Sequence, residues 1–148
     1  SRNAVLEKKV DIRLYLPTQD VWVVADNFLD EVLYNVFTNS IKYDEHDEIV
    51  IDVETKMVEL ENRYYAEIRV IDRGVGIPDD MKDKIFSREY RNLVKPDRPQ
   101  HSKPKGAGMG LSIVKSLLDR YGGRIWVENR IHDDFTRGSV FIILLPKA

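Results

Sequence analysis

The chain has no cysteine, which excludes a disulfide framework and any thiolate metal site and fits a reducing compartment. It has no long apolar run. The longest, VFIILL at residues 140–145, falls far short of the ~18 residues of a membrane span and reads as a buried strand. It has almost no net charge. The 23 Lys and Arg against 25 Asp and Glu leave −2, with no basic stripe to track a nucleic-acid backbone. The first residues carry no signal-peptide pattern, and SRNAVLEK, residues 1–8, reads as the remnant of an upstream linker or an expression scar. These absences predict a soluble cytoplasmic domain with no nucleic-acid partner and no direct membrane contact, whether or not its parent protein is membrane-anchored.

What is present is a chain of 148 residues, 43% hydrophobic, the size of one domain with a real core. Residues 10–16 alternate with period two and predict a strand, closed by Pro17. A short strand is expected over residues 21–24. Asp26 is placed to cap a helix over about 27–43. Strands are expected over 48–57 and 64–72, with ELENR between them as a hairpin connection. A short helix over about 79–85 follows Pro78. Residues 91–108 hold three prolines and five basic residues and almost nothing apolar, which predicts a long functional loop. Residues 110–121 form a helix by pattern, stopped by Gly122-Gly123, and RIWVEN and SVFIILLP close the chain as strands. Mixed elements with hairpin neighbours imply an α/β two-layer sandwich, a mixed sheet covered on one face by about three helices.

Within the first helix, NVFTNSIKYDE sets Asn35 and Asn39 one turn apart, with Lys42 beyond them. Asparagine is a poor helix-interior residue because its amide competes for backbone hydrogen bonds. On a helical wheel Leu29, Leu33, Val36 and Ser40 centre the apolar face, flanked by Val32 and Phe37. Glu31, Asn35, Asn39 and Lys42 form a stripe beside it. Two amides bonded to loops or water would satisfy this pattern. So would an amide oxygen on Mg²⁺ with a lysine on phosphate.

Two glycine clusters follow. Asp72-Arg-Gly74-Val-Gly76-Ile77-Pro78 leaves a strand, so Asp72 can accept a hydrogen bond from an amine, or the segment is a plain turn. Lys105-Gly106-Ala-Gly108-Met109-Gly110-Leu111-Ser enters a helix, whose N-terminal N–H groups favour phosphate. Its spacing is neither that of a P-loop nor that of the dinucleotide fingerprint. The three segments together describe a nucleotide–Mg²⁺ pocket.

In this order the motifs closely resemble the ATP-binding catalytic domain of sensor histidine kinases, a branch of the GHKL ATPase superfamily. NVFTNSIKY is similar to the N box, DRGVGIP to the first glycine box, and IFSREYR to the F box. KGAGMGLSIVKSLLDRYGGRIWVENR resembles the second glycine box with its helix and strand, and GSVFIILLP the closing strand. The resemblance runs from about Lys9 to Pro146. It implies a single domain over 1–148 with a Bergerat-type sandwich, and ATP and Mg²⁺ as ligands under a mobile lid over about 92–105. It implies Asn39 on Mg²⁺ with Asn35 supporting it, and Lys42 reaching the phosphates. Tyr43 would lie against the nucleotide, and Asp72 would accept from the adenine amine. Gly74 and Gly76 would permit close approach to the base, and Ile77 and Phe141 would line its pocket. Arg91 and Lys105 would reach phosphate. Gly106, Gly108 and Gly110 would hinge the lid, with Met109 and Leu111 beside them.

Related branches of the superfamily carry a water-activating Glu one turn before the metal Asn. Here that position is Asn35, which cannot act as a base. The resemblance therefore implies ATP binding without efficient hydrolysis. The γ-phosphoryl group would pass to a histidine on an upstream dimerisation/phosphoacceptor domain, and then to a response regulator. His46, His101 and His132 sit in no helical hairpin and are expected to be solvent-exposed. The chain departs from the pattern at Glu89, where the F box commonly has an aromatic, and at Asp44, where Thr is common. The alternatives are a non-catalytic nucleotide-sensing or scaffold relative, and a serine kinase of the anti-sigma type.

Overall fold

A computed structural model describes residues 8–17, 22–23, 28–87 and 110–148. Among them, β1 (Lys9–Tyr15) precedes α1 (Leu29–Lys42), and β2 (Glu48–Leu60) and β3 (Arg63–Ile71) follow. Two 3₁₀ turns (Asp79–Met81 and Lys84–Phe86) lead to α2 (Gly110–Arg120), β4 (Arg124–Ile131) and β5 (Asp134–Pro146). The five strands form one sheet in the order β1-β2-β3-β5-β4. β1 runs parallel to β2 and every other pair is antiparallel. This is the mixed α/β sheet that the sequence predicts.

Several boundaries move, each for a local reason. β2 runs three residues longer than its apolar pattern and β3 starts and ends one residue earlier than expected, because the connection is only Glu61-Asn62, both at positive φ (53° and 65°). That is the two-residue turn whose twist matches a hairpin. The expected helix over 79–85 is instead the two 3₁₀ turns. Of the expected strand at 21–24, Val23 makes an isolated bridge to Lys147; Val21, Val24 and the Asp26 cap lie outside the described residues. Gly122 ends α2 at φ +77°, and the N–H of Gly123 bonds back to the Leu118 carbonyl at 2.8 Å.

The core lies between the sheet and one helical layer. Val32 and Val36 of α1 and Leu111, Val114 and Leu118 of α2 pack on Ile51, Val70, Phe141 and Ile143. The buried line of α1 is Val32, Val36 and Ser40, while Leu29, Leu33 and Phe37 are half-buried at its margin. The wheel thus placed Val36 and Ser40 correctly, but Val32, expected at the flank, is central, and Leu29 and Leu33, expected at the centre, lie at the margin. β5 lies between β3 and β4 and is buried on both faces. Its Val140, Ile142 and Leu144 point away from the helices. There they pair with Glu128, Trp126 and Arg124 on one side, and Ile142 and Leu144 with Arg69 and Glu67 on the other. Long amphipathic side chains cover that face with their stems, which lets a two-layer domain bury a continuous VFIILL strand.

Candidate functional site

Two chain features build the site. The first is the segment after β3, where Asp72 is 5% exposed. Its Oδ1 accepts the N–H of Gly74 at 3.0 Å and the N–H of Ser139 at 3.1 Å. Burial pushes the Asp72 carboxyl above its ordinary value, the two N–H groups act against that rise, and the nearby Asp44 carboxylate adds to it.

The second is an irregularity in the β4–β5 hairpin. Pairing passes from Asn129↔Ser139 to Ile131↔Asp134, so residues 135–138 of β5 bulge opposite Arg130. Bulges re-aim side chains and gather near functional sites. This one presses the Phe135 carbonyl onto Gly76 and sets Gly138 against Asp72. A Cβ on Gly76 (φ +79°) would lie 1.6 Å from the Phe135 oxygen, and one on Gly138 (φ +108°) 2.2 Å from the Asp72 oxygen. Gly74 is likewise pressed onto the Tyr43 carbonyl. These glycines are required by backbone packing inside the protein.

Together these segments enclose a cavity of ≈ 160 Å³. Its walls include Tyr43, Gly76, Ile77, Leu111 and Phe141, with Asn39, Asp72 and Ser139 as its polar members. Asn39 is half-buried, and its side chain makes no hydrogen bond among the described residues. Val75, Pro78, Met81 and Ile85 complete the lining.

Other predicted residues stand around the cavity without lining it. Asn35 donates through Nδ2 to the Glu31 carbonyl at 2.8 Å, and its Oδ1 faces the start of α2. A Cβ on Gly110 would sit 2.6 Å from that oxygen, so the glycine lets α2 abut α1. The Lys42 ammonium lies 4.6 Å from the centre of the Tyr43 ring. Arg91, Lys105, Gly106, Gly108, Met109 and the lid over 92–105 lie outside the described residues.

The sequence reading missed three contributors. Gly138 and Ser139 were read only as part of a closing strand, although a glycine inside a strand signals a bulge or close backbone approach. Asp44 was read only as a departure from the family pattern, yet it is 1% exposed. Its Oδ1 accepts the His46 N–H at 2.9 Å and lies 2.6 Å from His46 Nδ1, and its Oδ2 has no partner among the described residues. His132 is exposed beside Asp133, and His101 lies outside the described residues.

The model of the histidine kinase-, DNA gyrase B- and HSP90-like ATPases matches residues 24–148. The chain belongs to this ATPase family. It is 38% identical over 130 residues to the sensor protein kinase WalK of Staphylococcus saprophyticus, covering 87% of this chain and 20% of that protein. With WalK of Staphylococcus epidermidis it shares 34% identity over 145 residues, covering 97% of this chain and 22% of the relative. The chain thus spans about a fifth of the length of these curated relatives. Among solved structures, the nucleotide-free catalytic domain of histidine kinase ThkA superposes with a TM-score of 0.68 at 30% identity, over 93% of this chain and 80% of that one. ThkA in complex with the response regulator protein TrrA superposes with a TM-score of 0.63 at 28% identity, over 99% of this chain and 36% of that one. The ATPase fold of the family is therefore this chain's fold.

Proposed function

We propose that this chain is the ATP-binding catalytic domain of a two-component sensor histidine kinase, passing the γ-phosphoryl group of ATP to a histidine on a separate dimerisation/phosphoacceptor domain. The observation that carries this reading is Asp72, a buried carboxylate with one oxygen saturated by backbone, set in the wall of an otherwise largely apolar cavity. Such a group selects a flat ligand that offers an amine. Adenine does so, whereas guanine would oppose an acceptor to an acceptor.

Asn39 supports the metal half of the reading. Among the described residues no group of three or more His, Asp or Glu could hold an ion. A single free amide oxygen suits Mg²⁺, which commonly takes few protein ligands and completes its shell with phosphates and water. The ion supplies charge neutralisation at the phosphates, and catalysis is otherwise positioning. Asn35 holds a turn of α1 and the start of α2 and cannot take a proton from water. Hydrolysis should therefore be slow, which reserves the nucleotide for transfer. Lys42, Arg91 and Lys105 are the cations assigned to phosphate, with Gly106, Gly108 and Met109 in the lid. The acceptor histidine comes from the upstream domain, and a response regulator follows, as in the ThkA complex. The supply of ATP places the domain in the cytoplasm.

Calorimetric titration with a non-hydrolysable ATP analogue, with and without Mg²⁺ and against the GTP counterpart, tests the reading. Binding that prefers adenine and gains from Mg²⁺ is expected. Equal affinity for both bases would overturn it. Phosphotransfer to a supplied histidine hairpin then tests the activity.

A further inference from the structure

Next to the Asp72 cavity, sharing Val75 with it, lies a second and larger cleft of ≈ 440 Å³. Arg73, Arg130 and Arg137 converge on it, with His46 and Thr136, and Glu45 is the one carboxylate in its lining. A net basic cleft is unexpected in a chain of formal charge −2.

The arginines are poorly neutralised. Arg130 and Arg137 form no ion pair among the described residues. Arg73 reaches Asp52 only at 3.6 Å, with its side chain 42% exposed. Asp134 is within electrostatic reach of Arg137, but its Oδ1 is already taken by the N–H and hydroxyl of Thr136. His46 is turned to a carboxylate, its Nδ1 lying 2.6 Å from Asp44 Oδ1.

The cluster is also built. The β5 bulge brings Arg137 opposite Arg130, and Arg130 Nε donates to the Arg137 carbonyl at 2.7 Å. That bond fixes the direction of the Arg130 guanidinium and leaves its terminal N–H groups unspent. Like charges facing one another across a hairpin are destabilising. Among the described residues neither Arg130 nor Arg137 has an ion-pair partner to relieve this repulsion, and Asp134 acts on Arg137 alone.

We propose that this cleft is a second anion site, distinct from the nucleotide cavity, which takes a compact multivalent oxyanion of the phosphate or carboxylate class. Guanidinium groups pair with such oxyanions bidentately, and three converging from different segments favour several negative oxygens over one. Val75 lines both spaces, and its N–H bonds to the Tyr43 carbonyl at 3.1 Å. An occupant of the cleft therefore bears on the wall of the adenine cavity.

The test is an NMR titration of the chain at low salt with pyrophosphate, then with citrate, following the arginine Nε–Hε signals and the amides of Gly74 and Val75. Saturable shifts at Arg73, Arg130 and Arg137 are expected, at least tenfold weaker in affinity in R130Q/R137Q and unchanged in Asn39→Ala. Arg137→Gln alone is the milder variant: it keeps the carbonyl that Arg130 bonds and should show the same direction of loss while melting no earlier than wild type. Shifts that do not saturate, that persist in both arginine variants, or that gather at Asn39 and Gly110 instead would overturn the proposal. The site stands or falls independently of nucleotide binding.

Discussion

The Asp72 carboxylate accepts the backbone N–H of Ser139, 67 residues further along the chain, at 3.1 Å. The Asp72 N–H in turn donates to the Ser139 carbonyl at 2.9 Å. This reciprocal pair joins the end of β3 to the β5 bulge. It also makes the residue proposed to select adenine a structural one, so its substitution separates stability from binding.

Asp72→Asn keeps a carbonyl oxygen for both N–H groups and removes a buried charge. A carboxyl whose folded pKa is raised favours its protonated form, so the folded state loses stability as pH rises from the ordinary carboxylate range through the raised value. The variant is expected to be as stable as wild type or more so at neutral pH, with the gap closing on acidification. Its amide would oppose a donor to the adenine amine, so ATP-analogue affinity should fall at least tenfold. Chemical denaturation from pH 3 to 8, beside calorimetry, reads both; a variant that melts early but binds normally would refute the assignment.

Asn39→Ala should abolish the Mg²⁺-dependent part of nucleotide affinity. The side chain is half-buried and unbonded among the described residues, so the stability cost should stay within about 1 kcal/mol. Persistence of the Mg²⁺ gain in the variant would show that the metal is held elsewhere.

Gly138→Ala and Gly122→Ala form a matched pair. Both glycines have positive φ, but a Cβ at 138 meets the Asp72 carbonyl at 2.2 Å, whereas one at 122 meets only Pro146 Cγ at 3.5 Å. The first should cost about 2–4 kcal/mol and weaken nucleotide binding. The second should cost about 1–2 kcal/mol and leave binding alone. Thermal melts of the two variants, with analogue titrations, check the difference.

Phe141→Ala should cost about 3–5 kcal/mol, the usual range for emptying a buried aromatic site. The ring is 1% exposed and stands edge-on to Phe86, with centroids 6.3 Å apart. Phe141→Leu, closer in volume, should retain the fold and loosen the adenine cavity. Equal destabilisation by the two would mean that the ring is not packed as described.

Local pattern determined much of this protein. A period-two run marked β1, the unbroken apolar run VFIILL marked β5, and the apolar spacing of α1 and α2 marked two helices, because those signals depend only on which face each residue presents. The order of Asn39, Asp72 and the glycines pointed to one nucleotide pocket through chemistry carried by residue type. Tertiary structure alone decided the rest. It buried Asp44 inside an acidic run, since burial depends on what packs above a residue and not on its neighbours in sequence. It gave Gly74, Gly76 and Gly138 their reason, three backbone contacts between segments distant in the chain. It also turned Arg73, Arg130 and Arg137, scattered singly along the sequence, into one cleft. A bulge is a mismatch between two paired strands, and no single strand carries the information that the pairing will slip.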